Sequence, residues 1–385
     1  MTNHSHAISF AQRALGILAL IMFSSPVSAQ TGLQGWLKKT GATLDSMAIS
    51  GIDHNYIEVP EQPWKILMRG NISQTTVSMK TEGVFLNEKY ATDTRMVPKP
   101  SQEIGFWAGY RGIGMEYTMN VGGDKGNHLA FSVAERAYAI NVRMRSFESS
   151  NPDIDIDSRL VTEADKAEME KLRLMDPIHV NTTFADGYYF FNNRRFSYAA
   201  AYDQSVIQKR SVGAPMVGAM YHYTHINYAA ASNGSMIHLM HGVGRVKQWQ
   251  GSVGAGYAYN WVPARGLLVS VMAMPMLTFV NKLKAYNFDT TIPEMMDEPM
   301  FWNADIPSDE WDKWYYENIH IAPSGHQTHN SGVSIGFDGR VSVAYNFGRY
   351  FLNVNGQFND IRYHHNETKG YLNDWFVNGS IGIRL

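Results

Sequence analysis

The sequence predicts an all-β fold: an antiparallel transmembrane β-barrel of about twelve strands, preceded by a short N-terminal helix. Three observations predict it. Long segments alternate between apolar and polar residues, aromatic residues stand at the ends of those segments, and the links are short at one end of the strands and mostly long at the other. Composition agrees: over 385 residues, aromatics make up 12% and charged residues only 18%, with 33 Gly. A mean hydropathy of −0.27 excludes a polytopic helical membrane protein, whose spans would each need ~20 apolar residues. The balance of 33 Lys+Arg against 35 Asp+Glu lacks the basic excess of a nucleic-acid binder. With no Cys, disulfide scaffolds, Cys-based zinc sites and thiol catalysis are excluded.

Residues 1–29 read as a signal peptide. Arg13 supplies the positive region, Ala14 to Phe23 the apolar region, and Val27-Ser28-Ala29 the small residues for cleavage before Gln30. Residues 30–64 follow as a periplasmic helix and lead-in. Leu33, Trp36, Leu37, Leu44 and Met47 predict a helix over 33–48, after which Asp53-His54-Asn55-Tyr56-Ile57 and Pro60 lead to Trp64. Residues 65–385 are the barrel with its surface loops, the largest being 282–331. The apolar run Leu267 to Val280 is too short for a spanning helix and contains Ser270 and Pro275.

Within the barrel the clearest strand is Trp249 to Trp261. Its odd positions are Trp, Gly, Val, Ala, Tyr, Tyr and Trp; its even positions are small and polar. A tilted spanning strand needs ~9–11 residues, longer than the ~5–6 of a soluble sandwich strand. Val333, Ile335, Phe337, Val341, Val343, Tyr345 and Phe347 repeat the pattern against a face carrying Asp338 and Arg340. Leu352, Val354 and Phe358 repeat it again, as do Trp375, Val377, Ile381, Ile383 and Leu385. Ile113, Met115, Tyr117 and Met119 oppose Glu116; Tyr138, Ile140, Val142 and Met144 oppose Arg143 and Arg145. A face with such charges cannot be a dry core without close pairing, but it suits the interior of a hydrated or plugged barrel.

Strands are expected near 65–80, 103–110, 113–121, 127–134, 137–147, 178–192, 210–226, 248–260, 265–281, 332–347, 349–363 and 371–385. The links Tyr110-Arg111-Gly112, Glu135-Arg136, Val262-Pro263-Ala264 and Phe347-Gly348-Arg349 are short. Those at the other end are 81–102, 122–126, 148–177, 227–247, 282–331 and 364–370. This asymmetry is that of an outer-membrane barrel, and an even count returns the C-terminus to the periplasm. Segments 65–80 and 178–192 alternate poorly, which leaves ten or fourteen strands open. The exception among the short links is 193–209, which holds Arg194, Arg195, Phe196, Tyr198, Tyr202, Asp203 and Lys209. It is either a partial plug folded into the lumen or a periplasmic loop.

That link also carries a resemblance. Gly187-Tyr188-Tyr189-Phe190-Phe191-Asn192, Arg194-Arg195-Phe196-Ser197-Tyr198, Gln204-Ser205 and Gln208-Lys209-Arg210-Ser211, with the Asp53 to Trp64 opening, resemble an uncharacterised Bacteroidetes family. Its members are exported proteins assigned a domain of unknown function and expected to be outer-membrane barrels of Gram-negative bacteria. Ala199 stands where the pattern has a proline, and Leu385 where barrel-assembly signals carry a terminal aromatic. The resemblance implies fold and location and brings no activity.

No catalytic, cofactor or metal residue is assigned. His238 and His241, with His222 and His225, lack the HExxH or carboxylate spacing of a metal site. His326, His329, His364 and His365 read likewise as loop histidines. Ser331 and Ser334 near His329 show no nucleophile elbow. A helix over 161–175, capped by Thr162, reads as a solvated face. Two sets of binding candidates remain. Glu116, Arg143, Arg145, Asp338, Arg340, Asp374 and Arg384 are expected to face the lumen, where mixed charge sets selectivity or closes the pore by pairing. Trp302, Trp311 and Trp314, among carboxylates in the largest loop, would suit a glycan or cation if they do not simply pack on one another. Met272, Met274 and Met276 argue against a wide pore. The function expected is passage or surface binding of a small solute or glycan. A membrane-embedded lipid hydrolase and a barrel scaffolding partner proteins through 33–64 or 193–209 are the alternatives. The expected partners are outer-membrane lipid and the barrel-assembly machinery.

Overall fold

Alternate residues of a strand face opposite sides, so the period-two segments dictate a sheet with one apolar and one polar surface. The computed structural model describes residues 50–385 except 86–87, 124, 150–152, 159–175, 231–232, 234–236, 238–241, 292–319 and 366–367. The expected signal peptide and the helices over 33–48 and 161–175 lie outside the described residues.

The strands are β1 (Ile57–Glu58), β2 (Trp64–Phe85), β3 (Glu88–Val97), β4 (Ser101–Tyr110), β5 (Ile113–Gly122), β6 (Lys125–Ala134), β7 (Tyr138–Ser149), β8 (Asp153–Ser158) and β9 (Ile178–Phe190). Helix α1 (Tyr198–Tyr202) and β10 (Ile207–Gln208) follow. Then come β11 (Val212–Asn227), β12 (Val243–Ala264), β13 (Leu267–Thr291), β14 (His320–Asn330), β15 (Ser334–Phe347), β16 (Tyr350–His365) and β17 (Thr368–Arg384). Twelve of them form a wall in the order β2, β4, β5, β6, β7, β9, β11, β12, β13, β15, β16, β17, and β17 pairs back with β2. Every neighbouring pair is antiparallel, and closure leaves the wall without an edge. Among the described residues no helix is long and apolar enough to cross a membrane.

The wall is apolar outside and polar inside. Phe106, Tyr257, Val341 and Val354 are exposed, whereas Lys65, Glu103, Asp338 and Arg384 are each at most 2% exposed. Aromatic pairs line the short-turn end of the outer surface: Trp64 with Tyr110, Tyr189 with Phe191, and Phe347 with Tyr345 and Tyr350.

Two details depart from the sequence reading. The third short turn is Arg265-Gly266 rather than Val262-Pro263-Ala264. Gly266 supplies the φ of 81° that the turn needs, and Pro263 sits in a register irregularity between Trp261 and Ala264, where no ladder N–H is required. The long links 81–102, 148–177 and 282–331 contain strands β3, β8 and β14, which pair with the projecting halves of β2 and β13 or with each other. The segments near 65–80 and 178–192 both stand in the wall, as expected, and the count is twelve. The inward residues of β9 include Ile178, Val180, Phe184, Tyr188 and Phe190, so its inner face, Asp186 apart, is largely apolar and masks the period. The link that follows β9 explains this face.

Candidate functional site: the plugged lumen

The link between β9 and β11 folds into the barrel at the short-turn end. Ser197 caps α1 by accepting from the Ala200 N–H at 3.2 Å, and Ala199, Ala200 and Ala201 are buried. Small side chains let the helix backbone approach the wall closely. Its C-terminal carbonyl, orphaned by the short helix, is satisfied by the wall: Ser342 Oγ and Asn353 Nδ2 donate to Ala201 O at 2.5 and 3.0 Å. Opposite, Asn260 Nδ2 donates to Ser197 O at 2.9 Å. Phe196 packs on Phe190 at a centroid distance of 5.1 Å, and Tyr198 on Tyr188 and Phe190 at 6.1 and 5.7 Å. Burial holds the Tyr198 and Tyr202 hydroxyls above their ordinary range, so both stay neutral.

After α1 the chain reverses at Gln204, a non-glycine residue with φ 60°. Lys65 Nζ donates to Asp203 Oδ2 at 2.5 Å and to Asp203 O at 2.6 Å, and lies 4.5 Å from the Trp107 ring centroid. Arg384 Nε donates to Gln204 O at 3.0 Å, while its guanidinium reaches Asn346 Oδ1 at 2.5 Å. Leu67, Trp107 and Phe351 form the apolar floor beside them.

The plug is tied to the lead-in. Ile57 and Glu58 of β1 pair with Gln208 and Ile207 of β10, Asp53 N–H donates to Arg194 O at 2.8 Å, and Arg195 Nε donates to Asp53 Oδ2 at 3.2 Å. The two stretches that carried the sequence resemblance are therefore one substructure. The Asn55 backbone N–H, followed in effect by Arg195, holds the Asp53 carboxyl below its ordinary range.

Above α1 the interior charges are paired. Arg340 Nη2 lies 2.8 Å from Asp186 Oδ1 and donates to Tyr188 Oη at 2.7 Å, and Arg340 Nη1 donates to Tyr198 Oη at 2.7 Å. Tyr188 in turn donates to Asp338 Oδ2 at 2.7 Å, and Gln357 donates to Asp338 Oδ1 at 2.8 Å. Across the lumen Arg69 pairs with Glu116. Glu103 accepts from Thr118 and Asn71 at 2.7 and 3.0 Å and has Arg145 Nε at 3.8 Å. Arg143 is stacked between Phe184 and Phe376, at 4.8 and 4.4 Å from their centroids. Asp374 Oδ1 accepts from Thr75 at 2.7 Å. Arg143, Arg145, His128, His222 and Asp374 line a polar cavity of about 430 Å³, counting the space open above it.

Met272, Met274 and Met276 are all buried on the inner face. His222 is buried inside, with Thr224 Oγ1 at 3.0 Å from its Nε2; His225, three residues on, takes the opposite face, so the two cannot share an ion. Among the described residues no group of three or more His, Cys, Asp or Glu is placed to hold a metal. Ser331 bonds Asn281 O through its backbone N–H at 2.8 Å, and Ser334 Oγ donates to Arg362 O at 3.0 Å. Trp302, Trp311, Trp314, His238 and His241 lie outside the described residues.

The sequence reading missed Lys65, Arg69, Glu103 and Asp186. The inward register that singles out Glu116 also reaches Glu103 on β4, whereas Lys65, Arg69 and Asp186 lie on β2 and β9, whose alternation is poor. Asp203, in the plug, has no periodic signal at all.

No curated protein matches the chain. Among solved structures, the β-domain of the Bordetella autotransporter BrkA aligns over 84% of this chain and 100% of its own at 10% identity, with a TM-score of 0.31. The outer-membrane protease OmpT from Escherichia coli aligns over 85% and 98% at 6% identity, with a TM-score of 0.34. An outer-membrane channel from Pseudomonas putida F1 aligns over 86% and 98% at 9% identity, with a TM-score of 0.28. Residues 51–384, which span the lead-in, the plug and the whole wall, match a family defined as a domain of unknown function, DUF4421, and the chain belongs to that family.

Proposed function

We propose that the protein is an outer-membrane barrel that admits a small solute from its loop end and passes it only when the plug moves. In this reading residues 1–29 direct export, residues 30–64 lie in the periplasm, and the source is a Gram-negative bacterium, as the Bacteroidetes resemblance implies. The assembled barrel is inserted by the barrel-assembly machinery. The apolar exterior with its aromatic rows supports a membrane setting, since a water-facing wall would not carry Phe106 and Val341 at 65% and 55% exposure.

The observation that carries the functional reading is α1, wedged in the lumen and hydrogen-bonded from β12, β15 and β16. A partner-docking role for 193–209 is disfavoured because Phe196 to Ser205 are spent on interior contacts. The test is solute efflux from vesicles containing the wild-type protein and a variant with residues 196–206 replaced by a Gly/Ser linker. Slow efflux through wild type and fast efflux through the variant is the expected result. A variant that shows the boiling-dependent gel shift of a closed barrel, yet passes solute no faster than wild type, sinks the proposal.

A further inference from the structure

We infer that the outer face of β11, β12 and β13 just beyond the aromatic row binds the phosphate groups of an outer-leaflet lipid headgroup. The inference rests on the outer-membrane reading above and adds a lipid site to it.

The three strands present their outward residues in rows. Tyr221, Gly251 and Val280 form one row; Tyr223, Trp249 and Lys282 form the next. Then come His225, Lys247 and Lys284, and finally Asn227, Arg245 and Tyr286. A bulge opposite Gly251 and Ser252 leaves both Phe279 and Val280 exposed, and this resets β13 so that Lys282, Lys284 and Tyr286 share the outward face. The surface therefore changes within two rows from apolar, through Tyr223 and Trp249 in ring contact at 5.6 Å, to cationic. In a membrane barrel the aromatic row marks the interface, and the next row stands at headgroup phosphate level.

The cations are poorly compensated by the protein. Lys247 and Lys284 are directly opposite in register, an arrangement that is destabilising for like charges. Among the described residues none of Arg245, Lys247, Lys282 and Lys284 forms an ion pair with a carboxylate. Glu148, in the strand beyond β9, is engaged with His179 at 3.3 Å, and Asp289 lies farther along β13. What gathers the cations is one ring: Arg245, Lys284 and Lys247 lie 4.1, 4.9 and 5.6 Å from the Tyr286 centroid. Arg245 Nε is buried without a hydrogen-bond partner. An aromatic ring holds cations together without neutralising them. Strands ~4.8 Å apart and same-face residues ~6.6 Å apart then place several donors around one phosphate-sized position.

The test uses the purified full-length barrel in detergent, with bisphosphorylated lipid A and its dephosphorylated form as probes, read by native mass spectrometry. Wild type is expected to retain the phosphorylated lipid selectively. Lys247→Gln/Lys284→Gln should bind it roughly thirty-fold more weakly, taking about 1 kcal/mol per cation at an anionic surface. Equal retention of the dephosphorylated lipid, unchanged binding by the double variant, or displacement of the lipid by inorganic phosphate alone would each overturn the inference. The gel shift on boiling confirms that the variant is a closed barrel. Cell fractionation reads the location separately, so a barrel in the outer membrane that ignores lipid phosphate refutes this site and leaves the location standing.

Discussion

Lys65→Met tests whether the plug is a separable element or part of the wall. In the wild type the Lys65 ammonium is enclosed, with Asp203 Oδ2 at 2.5 Å and Asp203 O at 2.6 Å. Removing it leaves the Asp203 carboxylate buried without its cation, and breaking a buried pair by deleting one partner costs about 3–5 kcal/mol. That penalty falls on the docked plug alone, because an undocked Asp203 regains water. The undocked population should therefore rise by between about a hundred-fold and a few thousand-fold. Lys65→Met/Asp203→Leu replaces the pair by apolar groups, which is often neutral, and should restore the closed state. Single-channel conductance in planar bilayers is the assay: rare openings in wild type, frequent openings in the single variant, rare again in the double. If Lys65→Met stays as closed as wild type while its thermal unfolding is unchanged, the pair does not hold the plug and the gating argument fails. If single and double variants open equally, the effect comes from lost packing on Trp107 rather than from charge.

Four further outcomes follow from the same structure. Arg340→Ala strips the cation from both Asp186 and Asp338 and should lower stability by about 3–5 kcal/mol, read as an earlier gel shift in a temperature series; an unchanged shift would mean the network is hydrated and replaceable. Val341→Lys places a charge on the outer face and should cost about 2–4 kcal/mol when the barrel folds into lipid vesicles, whereas a water-exposed wall would tolerate it freely. Gly266→Ala puts a Cβ 2.4 Å from Asn346 O at φ 81° and should destabilise by at least about 1–2 kcal/mol, measured by urea unfolding. The Asp53 carboxyl is held below its ordinary value of 3.8, so its contribution to the lead-in is complete above that value and lost as pH falls through the lower folded one. Limited proteolysis near residue 53 should accelerate in that acid window for wild type, and Asp53→Asn should show no such step.

The wall was readable because its alternation is locally complete. From Val253 to Trp261 in β12 and from Ile335 to Tyr345 in β15 the outward residues alternate with more buried ones, so most of the twelve segments could be placed with their sidedness. Reading failed where a third layer intervened. β9 is apolar on its inner face because Tyr188 and Phe190 pack against Tyr198 and Phe196, contacts made by a link whose course no period announces. The turn at Gly266 was displaced by Pro263, which reads as a breaker but occupies a bulge. Among the interior charges, Asp338 and Arg340 were legible as inward, but not that Asp186 and Tyr188 close around them, since those lie on a strand some 150 residues away.

The seam between β2 and β17 has a consequence for assembly. Thr75 bonds Asp374 across 299 positions of sequence, and Trp64 and Leu385 exchange backbone bonds. The first wall strand therefore has no second neighbour until the last one has been made. Until then β2 is an open template beside an apolar surface, the condition under which chains pair wrongly or aggregate. Synthesis order thus makes the β17 segment the latch of the molecule, and truncations that spare every interior contact but remove that strand should yield no barrel at all.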